Sequence, residues 1–220
     1  MFLYIIVGVG GTGSLLARDL PKLLIDTPSR MCIVDGDCVE EKNMKRQSYQ
    51  KQDVGSKKAS ALAKKINTFY GNICECICEY ITKDELYSYI QRNSNYIPVI
   101  IGCVDNDKTR MLLESTFKKL SHAIYLDSAN SEYDGNVYAC MRKDDIQSGA
   151  LRGESYILSM DVHPADKSCE AQASEGNTQF LVTNALMATT LLEHCDYIKY
   201  HRAIKEGVTI VNRFKKLHYE

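Results

Sequence analysis

The stretch FLYIIVGVGGTG, residues 2–13, decides the fold of this 220-residue chain. Its first six residues are apolar and mostly β-branched or aromatic, which is typical of a buried strand. The GVGGTG motif that follows, residues 8–13, leads directly into a helical pattern. A strand, a glycine-rich turn and a helix in this order predict the first unit of an α/β, Rossmann-like, doubly wound and mostly parallel sheet.

Each glycine of this motif has a separate physical use. Gly8 allows the tight turn, Gly10 lets a ligand approach the backbone, and Gly13 lets the helix pack closely against the strand. The N–H groups at the start of a helix attract an anion. The motif therefore predicts a bound nucleotide, with a tight turn that holds no ligand as the alternative.

The first half of the chain alternates regularly between strand and helix patterns, which predicts a mostly parallel sheet with helices on both faces. The expected strands are 2–8, 30–35, 73–80, 97–104 and 122–128, and the expected helices are 12–25, 56–68, 83–93 and 107–120. After residue 128 the rhythm changes. A turn at Asp134-Gly135 is expected to lead into an antiparallel strand at 136–142.

We expect a single domain over residues 1–220, with a nucleotide-binding core at 1–142. Residues 143–176 have few regularly spaced apolar positions, which favours a crossover loop or lid. The remaining 177–220 should form a C-terminal helix and strands, because apolar residues recur at helical spacing over 177–195 and alternate weakly in the tail.

Composition excludes several classes of partner. With 27 basic and 28 acidic residues the net charge is −1, which does not favour nucleic acid or an anionic membrane. No apolar run approaches the roughly 20 residues of a membrane span.

The nine cysteines include no CxxC pair, so the run CECIC at 74–78 predicts a core or half-buried strand and not a zinc site. We expect a cytoplasmic protein.

Charged residues follow the second expected strand in the run DGDCVEEKNMKRQ, residues 35–47. Asp35, which closes that strand, would accept hydrogen bonds from ribose hydroxyls and fits NAD and ATP equally. Asn43 and Arg46 lie three residues apart and would share one face of a helical turn beside the same pocket. The planar guanidinium of Arg46 suits phosphate oxygens. Lys58 would add a mobile positive charge near the same pocket, and the neighbouring Lys57 is the less favoured candidate for that role.

Asp105 and Asn106 follow the expected strand 97–104, at the sheet edge where ligands of such folds bind. A carboxylate there can hold Mg²⁺ together with substrate phosphates. A ribose acid, phosphate donors and a magnesium carboxylate suit ATP, whereas a nicotinamide enzyme needs neither a phosphate clamp nor a metal. The chain lacks the pattern G-x-x-x-x-G-K-[ST], so ATP would not be bound as in P-loop proteins.

The sequence resembles the ThiF/MoeB/HesA proteins and the adenylation domains of ubiquitin-activating enzymes. The shared motifs are GVGGTG at 8–13, DGDCVEEKNMKRQ at 35–47, VGSKK at 54–58 and CVDNDKTR at 103–110. The resemblance implies an enzyme that uses ATP and Mg²⁺ to adenylate the C-terminal carboxylate of a small ubiquitin-like or sulfur-carrier protein. It also implies a homodimer.

The resemblance assigns roles to residues at matching positions. It implies that Gly10 and Gly11 line the nucleotide, that Asp35 binds the ribose, that Asn43, Arg46 and Lys58 bind phosphates, and that Asp105 binds magnesium. Gly8, Gly13, Asp37, Gln47, Asn106 and Arg110 also fall in or beside the motifs, and all but Arg110 are counted among the nucleotide-binding candidates. A substrate carboxylate is already ionised at neutral pH, so the reaction needs positioning and charge stabilisation but no general base.

Many members of the family pass the activated acyl group to a cysteine after the sheet. The candidate here is Cys169 in DKSCEAQASEG, beside Lys167, with an incidental loop cysteine as the alternative and Cys140 as the weaker candidate. The zinc-binding CxxC pairs and the N-terminal arginine-bearing helix of many members do not appear in the sequence. A minimal activator, an arginine supplied by a partner chain and a nucleotide-binding module without turnover therefore remain open, and an NAD-dependent oxidoreductase is the less favoured alternative.

Overall fold

The computed structural model describes residues 1–155, 158–159 and 181–219, and only the backbone of 216–219. Within these residues nine strands form one sheet. The strands are β1 (Phe2–Val7), β2 (Arg30–Val34), β3 (Cys74–Ile77), β4 (Ile97–Gly102), β5 (Ala123–Asn130), β6 (Asp134–Lys143), β7 (Ile146–Gly149), β8 (Gly207–Asn212) and β9 (Lys215–Tyr219).

The strand order of the sheet is β3-β2-β1-β4-β5-β6-β8-β9, with β7 paired to β6. The first five strands of this order run parallel, and every pair from β5 and β6 onward is antiparallel. The chain winds in one direction from β1 to β3 and in the other from β4, so a crevice opens at the carboxyl ends of β1 and β4. The Rossmann-like fold class predicted from the sequence is confirmed.

Helices cover both faces of the sheet. They are α1 (Gly11–Leu24), α2 (Lys58–Tyr70), α3 (Lys83–Arg92), α4 (Asp107–Phe117), the short α5 (Arg152–Ser155) and α6 (Leu181–His201), with 3₁₀ turns at Glu41–Lys45 and Lys51–Asp53. None of the helices in the described part of the chain is long and apolar enough to cross a membrane.

Strand β1 lies at the centre of the core. Its alternate residues Phe2, Tyr4 and Ile6 face the cluster formed with α1, α2 and α6, while Leu3 and Ile5 face the cluster formed with α3 and α4. Both faces are buried, which explains why the strand reads as a continuous apolar run and not as an alternating pattern.

The turn expected at Asp134-Gly135 is wrong by a few residues. Strand β6 already begins at Asp134, and Gly135 pairs with Asn130, so the turn lies at 131–133. A Cβ atom on Gly135 would lie 2.5 Å from the Met187 sulfur and 2.7 Å from the Ala129 carbonyl oxygen. The methionine sulfur can move, but the carbonyl oxygen belongs to the backbone of β5, so this glycine is required by the close pairing of β5 and β6 and not by a turn.

The segment expected as a crossover loop, 143–176, begins with regular structure. Asp144 and Asp145 both have positive φ and form a two-residue turn between β6 and β7, and the short helix α5 follows. Residues 156–157 and 160–180 lie outside the described part, so the expected lid stays a prediction. The C-terminal helix extends beyond the expected end to His201, and β8 and β9 form the hairpin expected for the tail.

A buried ion-pair triad joins three of these elements. Asp127 on β5 is fully buried and accepts hydrogen bonds from Arg110 on α4 and from Arg152 on α5, whose Nε lies 2.5 Å from Oδ2. The Arg152 guanidinium also lies 4.6 Å from the centre of the Tyr138 ring. One carboxylate thus compensates two buried cations, and its charge holds α4 and α5 against the end of β5.

Replacing this carboxylate should destabilise the protein strongly. We expect Asp127→Asn to lower the free energy of unfolding by about 3–5 kcal/mol, because both arginines lose their buried counter-charge. Asp19→Asn is a matched control, since Asp19 also pairs with two cations, Arg18 and Lys22, but on the exposed face of α1. The control should cost about 0–1 kcal/mol. Urea unfolding measures both, and similar losses for the two variants would contradict the stabilising role of the triad.

Candidate functional site

A cavity of about 800 Å³ lies at the carboxyl ends of the parallel strands. It brings together residues that are far apart in the sequence. Three segments lie at this edge: the glycine-rich turn, the charged run after β2 and the loop after β4. The candidate residues that line it are Gly8, Gly10, Gly11, Asp35, Asp37, Asn43, Arg46, Gln47, Lys58, Asp105, Asn106 and Arg110. Gly13 is not in its wall.

The glycine-rich turn is shaped by close backbone contacts. Gly8 has φ +84°, and a Cβ atom there would lie 2.8 Å from the carbonyl oxygen of Cys103. A Cβ atom on Gly13 would lie 2.0 Å from the carbonyl oxygen of Gly8, so these two glycines serve the fold itself. Gly10 differs, since only the Gln47 amide comes near, at 3.9 Å. Its open side leaves the backbone accessible from the cavity.

Asp35 is held by the backbone on both sides. Its Oδ2 accepts the N–H of Val9 and its Oδ1 accepts the N–H of Asp37, each at 2.8 Å. Burial is the largest influence on this group and raises the pKa of Asp35. Two hydroxyl donors of a ribose would stabilise the ionised carboxylate, which the surrounding protein disfavours.

Asp37 and Lys58 form a pair beside Asp35. The Lys58 Nζ lies 2.8 Å from Oδ2 of Asp37, and the Lys58 backbone N–H bonds to the Asp37 carbonyl at 2.9 Å. Tyr80 donates its hydroxyl to Oδ1 of the same carboxylate. Burial alone would raise the pKa of Asp37, but Lys58 and then Tyr80 outweigh it, and the pKa is lowered. Asp37 therefore holds a neighbouring lysine in this structure.

Tyr80 is a site residue that the sequence reasoning missed. It lies three residues after the end of β3 and lines the cavity. In the run CECICEY the three cysteines suggested a possible metal site, and Tyr80 was not among the predicted site residues. The available signal was its position as the last residue of the expected strand 73–80, because residues at the carboxyl end of a strand in such a sheet face the crevice.

The charged run after β2 forms a 3₁₀ turn along one wall of the cavity. Asn43 is buried, and its Oδ1 accepts the N–H of Glu40 at 2.8 Å, so it also stabilises this turn. Arg46 follows at the end of the turn. Gln47 is nine-tenths buried, and its Oε1 has no hydrogen-bond partner among the described residues. A buried acceptor in the wall of a cavity can receive a donor from a ligand or a water molecule.

The loop after β4 places two neighbouring candidates in different roles. Asp105 is exposed at the cavity wall, where its carboxylate can reach a ligand. Asn106 is buried and caps α4, with its Oδ1 accepting the N–H of Thr109 at 2.9 Å. In the part of the chain that the structure describes, no group of three acidic, histidine or cysteine residues could hold a metal. A magnesium ion at Asp105 would therefore need oxygen ligands from phosphates and water.

Two thiols can be judged against the expected acyl transfer. Cys140 is fully buried in β6, and burial raises its pKa to about 12, so it is not a reactive nucleophile. Cys103 lines the cavity, and burial likewise raises its pKa to about 12. Cys169 lies outside the described residues, and its role stays a prediction.

The chain matches known proteins along most of its length. The sequence profile described as the ThiF family matches residues 3–216. Ubiquitin-like modifier-activating enzyme 5 of Gallus gallus is 29% identical over 140 residues, which are 60% of this chain and 34% of that protein. The same-named enzyme of Rattus norvegicus is 27% identical over 136 residues, 58% of this chain and 33% of that protein. The aligned part is thus about a third of these curated relatives.

Solved structures agree with the fold. A selenomethionine crystal structure of PaaA aligns with a TM-score of 0.70 at 18% identity. The alignment covers 100% of this chain and 64% of the PaaA chain. Escherichia coli MccB, crystallised with AMPCPP and MccA, aligns with a TM-score of 0.70 at 12% identity. The alignment covers 99% of this chain and 62% of the MccB chain. At such identities the likeness is one of fold alone. The family match, which extends over nearly the whole sequence, is the stronger result: this chain belongs to the ThiF family.

Proposed function

We propose that the protein uses Mg²⁺-ATP to adenylate the C-terminal carboxylate of a small protein or peptide of the ubiquitin-like or sulfur-carrier class. The observation that carries this proposal is the clustering of Arg46 and Lys58 beside Asp35 in one cavity at the strand-order reversal. A ribose acid next to two cations suits a nucleotide that carries several phosphates. Membership of the ThiF family supports the reaction type, and the MccB crystal structure with AMPCPP and MccA supports both classes of ligand by analogy.

The proposed roles follow from the position of each group. Asp35 would bind the ribose hydroxyls, the open backbone at Gly10 would face the phosphates, and Gly11 would line the nucleotide beside it. Asn43, Arg46 and Lys58 would bind phosphate oxygens. Magnesium, held by Asp105 together with the phosphates, would supply charge neutralisation.

The reaction would consist of one displacement. A substrate carboxylate oxygen forms a bond to the α-phosphorus, and the bond from that phosphorus to the pyrophosphate oxygen breaks. Negative charge grows on the leaving pyrophosphate, and the cations Arg46 and Lys58 would stabilise it. The ionised carboxylate has no proton to lose, so the site needs no general base. A second step is proposed in which the Cys169 thiolate forms a thioester bond to the acyl carbon, and the bond from that carbon to the AMP oxygen breaks and releases AMP.

Removal of the cavity charges should abolish exchange of pyrophosphate into ATP in the presence of a candidate carrier. We expect Arg46→Ala and Asp105→Ala each to lower the exchange rate by about 10²–10³-fold, because the first removes a cation that would stabilise the transition state and the second removes a ligand of magnesium. Arg18→Ala is the matched control, since this arginine lies on the exposed face of α1 and outside the cavity wall. Normal exchange by both cavity variants would overturn the assigned roles.

The class of nucleotide can be decided by calorimetry on the wild-type protein. We expect saturable binding of Mg²⁺-ATP and no tight binding of NADH, because Lys58 and Arg46 are suited to a triphosphate. Tight NADH binding that ATP does not displace would support the oxidoreductase alternative instead. Binding of Mg²⁺-ATP without AMP formation with any carrier would favour a nucleotide-binding module.

We also propose that the protein acts as a homodimer, as the family resemblance implies. Size-exclusion chromatography with light scattering should then give about twice the chain mass of 24.8 kDa. A monomer mass at every concentration in the micromolar range would contradict this expectation.

A further inference from the structure

Tyr80 is fixed at both ends of its side chain. Its hydroxyl is hydrogen-bonded to Oδ1 of Asp37. Its ring lies against the backbone of Gly36, where an added Cβ atom would come within 2.8 Å of the Tyr80 Cγ and Cδ2 atoms. The ring lines the same cavity as Asp37 and Lys58. A tyrosine held in this way cannot move without disturbing the carboxylate that it contacts.

Asp37 contacts Tyr80 and Lys58 through different oxygens. Oδ1 accepts the tyrosine hydroxyl, and Oδ2 lies 2.8 Å from the lysine Nζ. Lys58 is buried along its length, with a side chain only 9% exposed, so its ammonium group has a restricted choice of positions. An entering phosphate would therefore compete with Asp37 for the position of this ammonium group, whose three donors have a limited reach.

The tyrosine hydroxyl influences this competition. A hydrogen bond donated to a carboxylate withdraws part of its negative charge, so Asp37 attracts Lys58 less strongly and repels a phosphate less strongly. Without the hydroxyl, Asp37 would hold Lys58 more tightly and present more negative charge to the cavity. Both effects act in the same direction, against the binding of phosphate.

We propose that Tyr80 is a positioning residue of the nucleotide site, which acts through Asp37 to keep Lys58 available for the phosphates of the ligand. The proposal rests on the ATP site described under the proposed function and adds a residue outside the motifs of that site. Its effect should depend on phosphate, since Lys58 is the group through which Tyr80 acts.

The test compares two ligands in Tyr80→Phe, which removes only the hydroxyl. Calorimetry should show Mg²⁺-ATP affinity reduced by about five- to tenfold, a change within the range of one ordinary hydrogen bond, because Tyr80 acts on the phosphates only through Asp37 and Lys58. The affinity for adenosine should not change, because adenosine carries no phosphate.

A double-mutant cycle tests the route through Lys58. In a Lys58→Gln background, Tyr80→Phe should cause a clearly smaller further loss of Mg²⁺-ATP affinity than in the wild type, because only the repulsion between Asp37 and the phosphates remains. Tyr87→Phe is the matched control and should bind like the wild type. Tyr87 lies on α3 against Lys119, with its ring centre 5.6 Å from the lysine Nζ, and outside the cavity wall.

The outcomes separate this inference from the proposed function. If the wild type does not bind Mg²⁺-ATP, the proposed nucleotide site itself is wrong. If the wild type binds but Tyr80→Phe binds equally well, only the role of Tyr80 is overturned. Equal losses for ATP and adenosine, or additive losses in the double variant, would also overturn it, because they would indicate a contact with the nucleoside or a general structural effect.

Discussion

The first turn of helix α1 passes so close to strand β1 that no side-chain atom fits between them. A Cβ atom on Gly13 would lie 2.0 Å from the carbonyl oxygen of Gly8, and one on Gly8 would lie 2.8 Å from the carbonyl oxygen of Cys103 on the β4 side. This contact brings the helix start to the crevice between β1 and β4. The cavity wall then includes backbone N–H groups, which no larger residue at these positions would permit.

The remainder of the cavity is built from charges that compensate one another. Asp35 is bound by two backbone N–H groups, Asp37 by Lys58 and Tyr80, and Asp127 by Arg110 and Arg152. Charged groups in a partly buried site are costly unless they are paired. Under the proposed function, a ligand phosphate would share the ammonium group of Lys58 with Asp37.

Individual residues show where prediction from sequence succeeded and where it failed. The sequence predicted that the glycine-rich turn and the residues after β2 and β4 lie together, because strand ends of a parallel sheet meet at one edge. In the structure these segments line one cavity. The pair Asp134-Gly135 was expected to form a turn, as Asp-Gly commonly does, yet Gly135 lies within β6, where a Cβ atom would come 2.7 Å from the Ala129 carbonyl oxygen on β5. This contact depends on how β5 and β6 pair, which the sequence of β6 does not show. Arg152 and Tyr80 were missed for the same reason, since their partners Asp127 and Asp37 are distant in the chain.

The sequence by itself determined the order of strands and helices, the fold class and the set of polar groups at the carboxyl edge of the sheet. Apolar periodicity and glycine positions are local properties, and the alternation of strand and helix restricts the topology to few arrangements. Only the tertiary structure decided how these groups are used. It assigned the Asn106 oxygen to a helix cap, Asp37 to Lys58, and Cys140 to the core. Hydrogen bonds and burial depend on distances between segments, which no local pattern encodes.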